Sequence, residues 1–239
     1  MQVTVLGGGG VWPEAGGACG GFLVEHDGFR LLIDPGFAVV PRLLQVVGAG
    51  EVDAVYVTHG HPDHCADLNP LLRARAMDGR RAPALPVYAP DGALDAVLAL
   101  DRPGLLACEV RPVADRMRIG PFLAEARMLP HSLPNAGIRL AAGGEVIAYT
   151  GDSGPCADVV ELARDADLFI AEATFLDVVP EGARDVLSSA RDAGRQCALA
   201  GAGRLLLTHL QPGTDPAAAI AVARQEFDGD IAVASSRSL

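Results

Sequence analysis

The sequence predicts an α/β (α+β) protein in which two sheets pack face to face with helices outside. Short apolar runs bounded by glycine turns fill the start, and strand and helix signals mix in the middle. Helix–strand units then alternate through the second half. At 239 residues, half of them hydrophobic, the chain fits one domain over 1–239 with ample interior and no disorder. No repeat of fixed period or low-complexity linker divides it.

Residues 2–6 read as a first strand, followed by the loop Gly7 to Gly17. No lysine follows its four glycines and no helix opens behind them, so it is a flexible loop, not a phosphate cradle. Trp12, the only tryptophan, is placed to cover a pocket from it. Runs at 20–25 and 29–33 flank His26-Asp27-Gly28 as a hairpin, with His26 expected in solvent. Asp34-Pro35-Gly36 ends the second strand, Asp34 serving either as a turn residue or as the acceptor that orients a ligand imidazole. A helix at 38–47, a buried strand at 52–57, a helix at 64–77, a strand at 86–89 and a helix at 93–100 come next. Two antiparallel-type runs follow at 107–113 and 121–129, and then strands at 136–140 and 145–150 about Gly143-Gly144. The last part reads as helix 155–164, strand 168–171, long helix 182–200, strand 204–208, helix 216–226 and strand 230–234.

Charge and cysteine content narrow the function. A net charge of −11 disfavours partners held by a phosphate backbone, so nucleic acid is not expected. All basic residues are arginines, and only Arg73, Arg75, Arg80 and Arg81 cluster, as a solvated helix end or a receiver of substrate phosphate. The five cysteines are scattered without a C-x-x-C pair, against a disulfide framework or a thiolate zinc site; Cys65 reads as a small buried helix residue. No run is long enough to span a bilayer, and the first residues lack the pattern of a secretion signal, so the expected location is cytoplasmic.

One stretch carries the chemistry. In Thr58-His59-Gly60-His61-Pro62-Asp63-His64, three imidazoles and a carboxylate follow a buried strand, where open α/β sheets place ligands. His59 and His61 can turn to one point, Asp63 and His64 to a second. His131, Asp152 and His209 also stand at strand ends, giving seven oxygen and nitrogen donors. That is too many for one tetrahedral ion but suits two divalent ions sharing Asp152. Such a pair brings the pKa of a water towards neutrality and polarises an ester oxygen, which favours hydrolysis.

Several segments resemble the metallo-β-lactamase fold, and within it the ribonuclease Z-like branch. They are Leu31 to Gly36, Thr58 to His64, His131 with Gly137-Ile138-Arg139-Leu140, Tyr149 to Gly154, Glu172-Ala173-Thr174-Phe175 and Leu207 to Leu210. The resemblance implies a four-layer αβ/βα sandwich of two packed mixed sheets with the metals at one edge. It implies His59, His61 and His131 on one ion, Asp63, His64 and His209 on the other, and Asp152 between them. Zinc is the usual metal of the branch; manganese or iron occurs among relatives, which often pair as homodimers. Two departures stand out: Ala171 and Leu187-Ser188-Ser189 take places where the ribonuclease has histidines. The arm that grips transfer RNA would need a long insertion, and none is visible.

The leading expectation is therefore a dinuclear phosphodiesterase acting on a small or cyclic phosphate ester through a hydroxide shared by the ions, positioned by Asp63 and Asp152. Asp63 would accept its proton. A carboxylic-ester, lactone or thioester hydrolase on the same fold is the alternative. Transfer-RNA 3′-processing and metal binding without turnover rank below both. Glu172 is expected either to orient a ligand or to cap an element.

Overall fold

The computed structural model describes residues 1–77, 83–102 and 104–234. The first sheet contains β1 (Gln2–Gly7), β2 (Gly21–His26), β3 (Phe29–Ile33), β4 (Ala54–Tyr56), β5 (Leu85–Ala89) and β6 (Cys108–Pro112), in that spatial order. The second contains β7 (Arg116–Ile119), β8 (Phe122–Leu129), β9 (Asn135–Ala142), β10 (Glu145–Tyr149), β11 (Leu168–Glu172), β12 (Arg204–Thr208) and β13 (Asp230–Val233), again in unbroken sequence order. Each sheet joins an antiparallel part, in which chain neighbours pair across turns or loops, to a parallel part, made by helical crossovers.

Side-chain alternation explains the stacking. Successive strand residues face opposite sides of a sheet, and in the central strands both sides are buried. From the first sheet, Phe22, Val24, Leu31, Ile33, Ala54 and Tyr56 point inward against Ile138, Leu140, Ile147, Tyr149 and Ile170 of the second. Their neighbours Leu23, Leu32 and Val55 point the other way, onto α1 (Val39–Leu43), α3 (Leu68–Met77) and α4 (Asp95–Leu98); the short α2 (Pro62–Cys65) precedes α3. Phe169, Ala171, Leu205 and Leu207 face α5 (Ala157–Ala163), α6 (Ala190–Ala200) and α7 (Pro216–Ala223). The result is helices, sheet, sheet, helices.

Four expectations are corrected. The run at 107–113 lies parallel to β5, because the connection through α4 is long enough to cross back over the sheet, and β7 was not foreseen. The helix at 64–77 is two helices: Asp67 breaks it by accepting the Val40 N–H at 2.8 Å while its own N–H reaches the Pro35 carbonyl. The long helix at 182–200 begins only at Ala190, where Ser189 and Asp192 form a reciprocal capping box. His26 is partly buried, its ring 6.3 Å from that of Phe122.

Arg75 is also no part of a phosphate receiver. It is buried, and its guanidinium donates to the carbonyls of Ala49 and Val52, both at 2.8 Å. Arg73 pairs with Asp101, and Arg80 and Arg81 lie outside the described residues. Cys65 is buried as expected. Among the described residues, no helix is long and apolar enough to cross a membrane.

Candidate metal centre

Proline shapes the central loop. Pro62 opens α2 at its first position, where its missing N–H costs nothing, and it holds His61 in extended backbone at φ −68, ψ 143. The chain therefore turns between His61 and Asp63. His59 and His61 lie before the helix and Asp63 and His64 within it, so the two pairs diverge to two points. Gly36 lets the β3 loop approach closely, since a Cβ there would lie 1.8 Å from the Asp63 carbonyl oxygen. His131 comes from the end of β8, Asp152 from the end of β10 and His209 from the end of β12.

The structure brings all seven residues together in two groups that share Asp152. His59, His61, His131 and Asp152 form one; Asp63, His64, His209 and Asp152 form the other, with the donor atoms of each group within 4.8 Å of one another. In the first group, His59 Nε2 and His131 Nε2 stand 3.0 and 3.1 Å from His61 Nδ1. In the second, His209 Nε2 is 3.1 Å from Asp63 and 3.2 Å from Asp152, and His64 Nε2 is 3.2 Å from Asp152. A tetrahedral ion with bonds of about 2.0–2.1 Å holds its donors roughly 3.3–3.4 Å apart, so the spacing fits. His64 Nε2 and Asp152 Oδ1 are buried and make no hydrogen bond, which an ion between them would explain.

Hydrogen bonds behind the rings aim the donors. Asp34 receives the Thr58 hydroxyl at 2.7 Å and His64 Nδ1–H at 2.8 Å. With its own proton on Asp34, the Thr58 oxygen accepts from His59 Nδ1 at 3.1 Å. On the other side, Glu172 receives the Thr174 hydroxyl at 2.8 Å, leaving that oxygen to accept from His209 Nδ1 at 2.9 Å. His131 Nδ1 donates to the Val186 carbonyl at 2.9 Å. In each neutral ring the proton therefore sits on Nδ1, and the Nε2 lone pair points into the site. Asp34 thus proves to be an orienting acceptor, and Glu172 orients His209 through Thr174.

Sequence reasoning placed Thr58, Thr174 and Tyr149 inside the matched segments but gave them no role, and it missed the Val186 carbonyl. Thr58 and Thr174 stand next to or two residues from recognised site positions, and that adjacency was the available signal. Tyr149 reads as an apolar strand residue, yet its hydroxyl donates to Asp34 at 2.9 Å. For the Val186 carbonyl there is no signal in side-chain chemistry at all.

Charge follows geometry. Burial and the neighbouring His64 hold His59 well below the usual imidazole range. Burial also pulls His64 and His209 down, but facing carboxylates outweigh it: Asp152 and Asp34 for His64, Asp152 and Asp63 for His209. The carboxylates thus hold both rings above the usual imidazole range. Burial pushes Asp63 up, and hydrogen bonds from His209 and His64 more than reverse this, holding it below the ordinary carboxylate range. Glu172 is pushed up to about 7 by burial and by the Asp152 charge.

Backbone strain fixes the last donor. His209 sits at φ 60, a left-handed conformation few residues adopt outside functional loops. Its N–H donates to Gly8 at 2.9 Å, and Gly10 lies so close that a Cβ there would be 3.2 Å from its Nδ1. Ala171 and Ser188, at the two departures from the ribonuclease pattern, supply no proton donor. Ala171 is buried in the outer core, and the Ser188 hydroxyl is bound to the Ser153 carbonyl at 2.7 Å.

Comparison with known proteins agrees with this geometry. Residues 29–210 match the family described as the beta-lactamase superfamily domain. The probable metallo-hydrolase YhfI of Bacillus subtilis is 32% identical over 213 residues, covering 88% of this chain and 87% of that protein. A crystal structure of the YhfI metallo-beta-lactamase fold protein superposes with a TM-score of 0.89 at 31% identity, covering 98% of this chain and 96% of the other. Ribonuclease Z of Haloferax volcanii is 28% identical, covering 98% of this chain and 92% of its own length.

Proposed function

The chain belongs to the beta-lactamase superfamily and has the metallo-β-lactamase fold of a metallo-hydrolase, and from that premise we propose that it is a dinuclear phosphodiesterase of small or cyclic phosphate esters. The observation that carries this reading is the pair of four-donor groups meeting at one buried carboxylate, Asp152. The donor set suits zinc: neutral imidazoles and carboxylates at tetrahedral spacing, without thiolates. His59, His61 and His131 would hold one ion and Asp63, His64 and His209 the other. When bound, two such ions supply Lewis acidity to an ester oxygen and bring a water's pKa towards neutrality.

The protein's own residues do the positioning. Asp152, between the groups, fixes their separation. Asp63, in the second group beside Asp152, is the carboxylate that would take a proton from the attacking water. His61 and His131 are only partly buried, whereas the second group is closed off, so substrate enters over the first group. The charge at the site centre favours an anionic ester, and a ribonuclease among the relatives also cleaves phosphodiesters. The net charge of −11 and the absence of a gripping insertion favour a small substrate over transfer RNA.

Metal analysis of the purified protein, coupled to a panel of phosphodiesters, lactones and thioesters, tests this. About two zinc ions per chain with turnover of bis(4-nitrophenyl) phosphate or a cyclic nucleotide is expected. Turnover of a lactone or thioester with inert phosphodiesters would replace the reading by a carbonyl-ester hydrolase. Asp152→Ala is expected to lose both ions and activity together; full activity with both ions retained would refute the shared carboxylate.

A further inference from the structure

Two metal groups that meet at Asp152 need its carboxylate held in one place, and we propose that Asn135 is the positioning residue that holds it. The inference rests on the shared carboxylate read above, and not on which ester is cleaved. Asn135 opens β9 and is fully buried, and its side chain belongs to neither group. Its amide donates to the Thr150 carbonyl at 3.0 Å and to the Asp152 carbonyl at 2.6 Å. Among the described residues, the second of these is the only hydrogen bond made to the Asp152 main chain.

The surroundings fix the way this amide points. Both acceptors are carbonyls, so only the NH2 end can face them; turned over, the amide would set oxygen against oxygen. Asn135 Oδ1, on the other side, is buried and has no hydrogen-bond partner. It lies against Gly151, where a Cβ would come within 2.4 Å of it and within 2.8 Å of the Thr58 hydroxyl oxygen. Gly151 sits at φ 60, the left-handed conformation that glycine adopts without strain. The turn that presents Asp152 is thus clamped. Two donated hydrogens hold its carbonyls, and close packing against Gly151 leaves it no room to slide. An unpaired buried oxygen is destabilising, and here it accompanies a side chain whose two hydrogens are both used.

The next residue reaches the first sheet. The Ala136 N–H donates to the Thr58 carbonyl at 2.9 Å, and the Tyr56 hydroxyl donates to the Ala136 carbonyl at 3.0 Å. Thr58 leads into His59 and orients it through its hydroxyl. Residues 135 and 136 therefore set the end of β4, which leads to His59 and His61, against the end of β10, which leads to Asp152. That register decides whether one carboxylate reaches both groups. Without the Asn135 amide, two buried carbonyls lose their donor and the turn can shift. Both ions then lose the same ligand together, whereas removal of an outlying donor such as His131 weakens one group first.

Zinc affinity of full-length Asn135→Ala is measured by competition against a chelator, at a temperature where circular dichroism shows the metal-free variant folded. Asn135→Ser is the milder variant should alanine leave the chain unfolded, because its single hydroxyl hydrogen can serve one carbonyl at most. Both ions are expected to bind roughly 10–100-fold more weakly in Asn135→Ala, as when other groups supporting metal ligands are removed. Asn135→Ser is expected to lose less, again on both ions. Cobalt-substituted protein gives a readout that stability alone does not move. Electron paramagnetic resonance is expected to show two coupled ions in the native protein and uncoupled ones in Asn135→Ala. Ser189→Ala, destabilised away from the donors, is the comparison and is expected to keep native affinity and coupling. Native affinity and coupling in a folded Asn135 variant, or a loss confined to one ion, would overturn the role of Asn135 and leave the shared carboxylate standing. Native protein that binds a single ion, or two uncoupled ones, would overturn the shared carboxylate and the role of Asn135 with it.

Discussion

Asp34 shows how one side chain can govern a site it does not enter. Its carboxylate is fully buried and accepts the Thr58 N–H, the Thr58 hydroxyl, His64 Nδ1–H and the Tyr149 hydroxyl. Two imidazoles, His64 directly and His59 through Thr58, are aimed by it. Asp34→Asn keeps the size and tolerates the φ of 47, but it replaces one acceptor oxygen by a donor. Metal affinity is expected to fall roughly 10–100-fold, as for other partners of metal-bound histidines. Competition against a fluorescent chelator measures this; unchanged affinity in a folded variant would remove Asp34 from the role. The raised protonation of His64 and His209 gives a second test. Each must lose a proton before its lone pair can bind, so zinc uptake releases protons, and apparent affinity weakens as pH falls through their raised range. Calorimetry in two buffers of different ionisation enthalpy reads the release, and identical heats would contradict it.

At the scale of elements, the segment between β11 and α6 does more than connect. Its Val186 carbonyl orients His131, and Glu172 accepts the Ser188 N–H at 2.9 Å. Ser189 then starts α6 by accepting the Asp192 N–H. Ser189→Ala is expected to cost about 1 kcal/mol of stability, seen as a lower Tm with metal content retained. Loss of metal at unchanged Tm would show instead that the cap serves the site. This segment was the least legible in the sequence. Its alanines and leucines favour a helix, but backbone hydrogen bonds to a glutamate far back in the chain hold it open. The Ser189-to-Asp192 spacing was the one local signal for where the helix starts. The strands were more legible, because buried alternation and glycine turns are local. So was the His59-to-His64 cluster, whose composition alone implies metal. What sequence could not supply were the long-range partners: which ring leans on Thr174, and that β6 lies parallel to β5. His26 shows the same limit from the other side. Its hairpin end lies away from Gly21, at the sheet end opposite the metal groups, where it packs under Gly143.

For the whole molecule, the decisive fact is that the donors come from both sheets. Tyr56 and Thr58 also tie the first sheet to Ala136 of the second, at 3.0 and 2.9 Å. Ions bound only by the folded state add stability by mass action, about 2.7 kcal/mol at a free concentration a hundredfold above Kd. Chelation is therefore expected to lower Tm by roughly 5–10 °C for each site emptied from that occupancy, given 2–4 °C per kcal/mol at this chain length. Differential scanning calorimetry with zinc and with chelator measures it; coincident transitions would mean the metals do not hold the sheets together.

The order of donors along the chain sets a timetable. Four stand close together, between His59 and His64, but the first group also needs His131 and Asp152, and the second is not complete without His209. A chain grown only through the first sheet therefore holds part of a coordination shell and no more. Capture of the full pair of cations has to follow the second sheet, and a metal-loaded protein certifies that both halves have been made and have met.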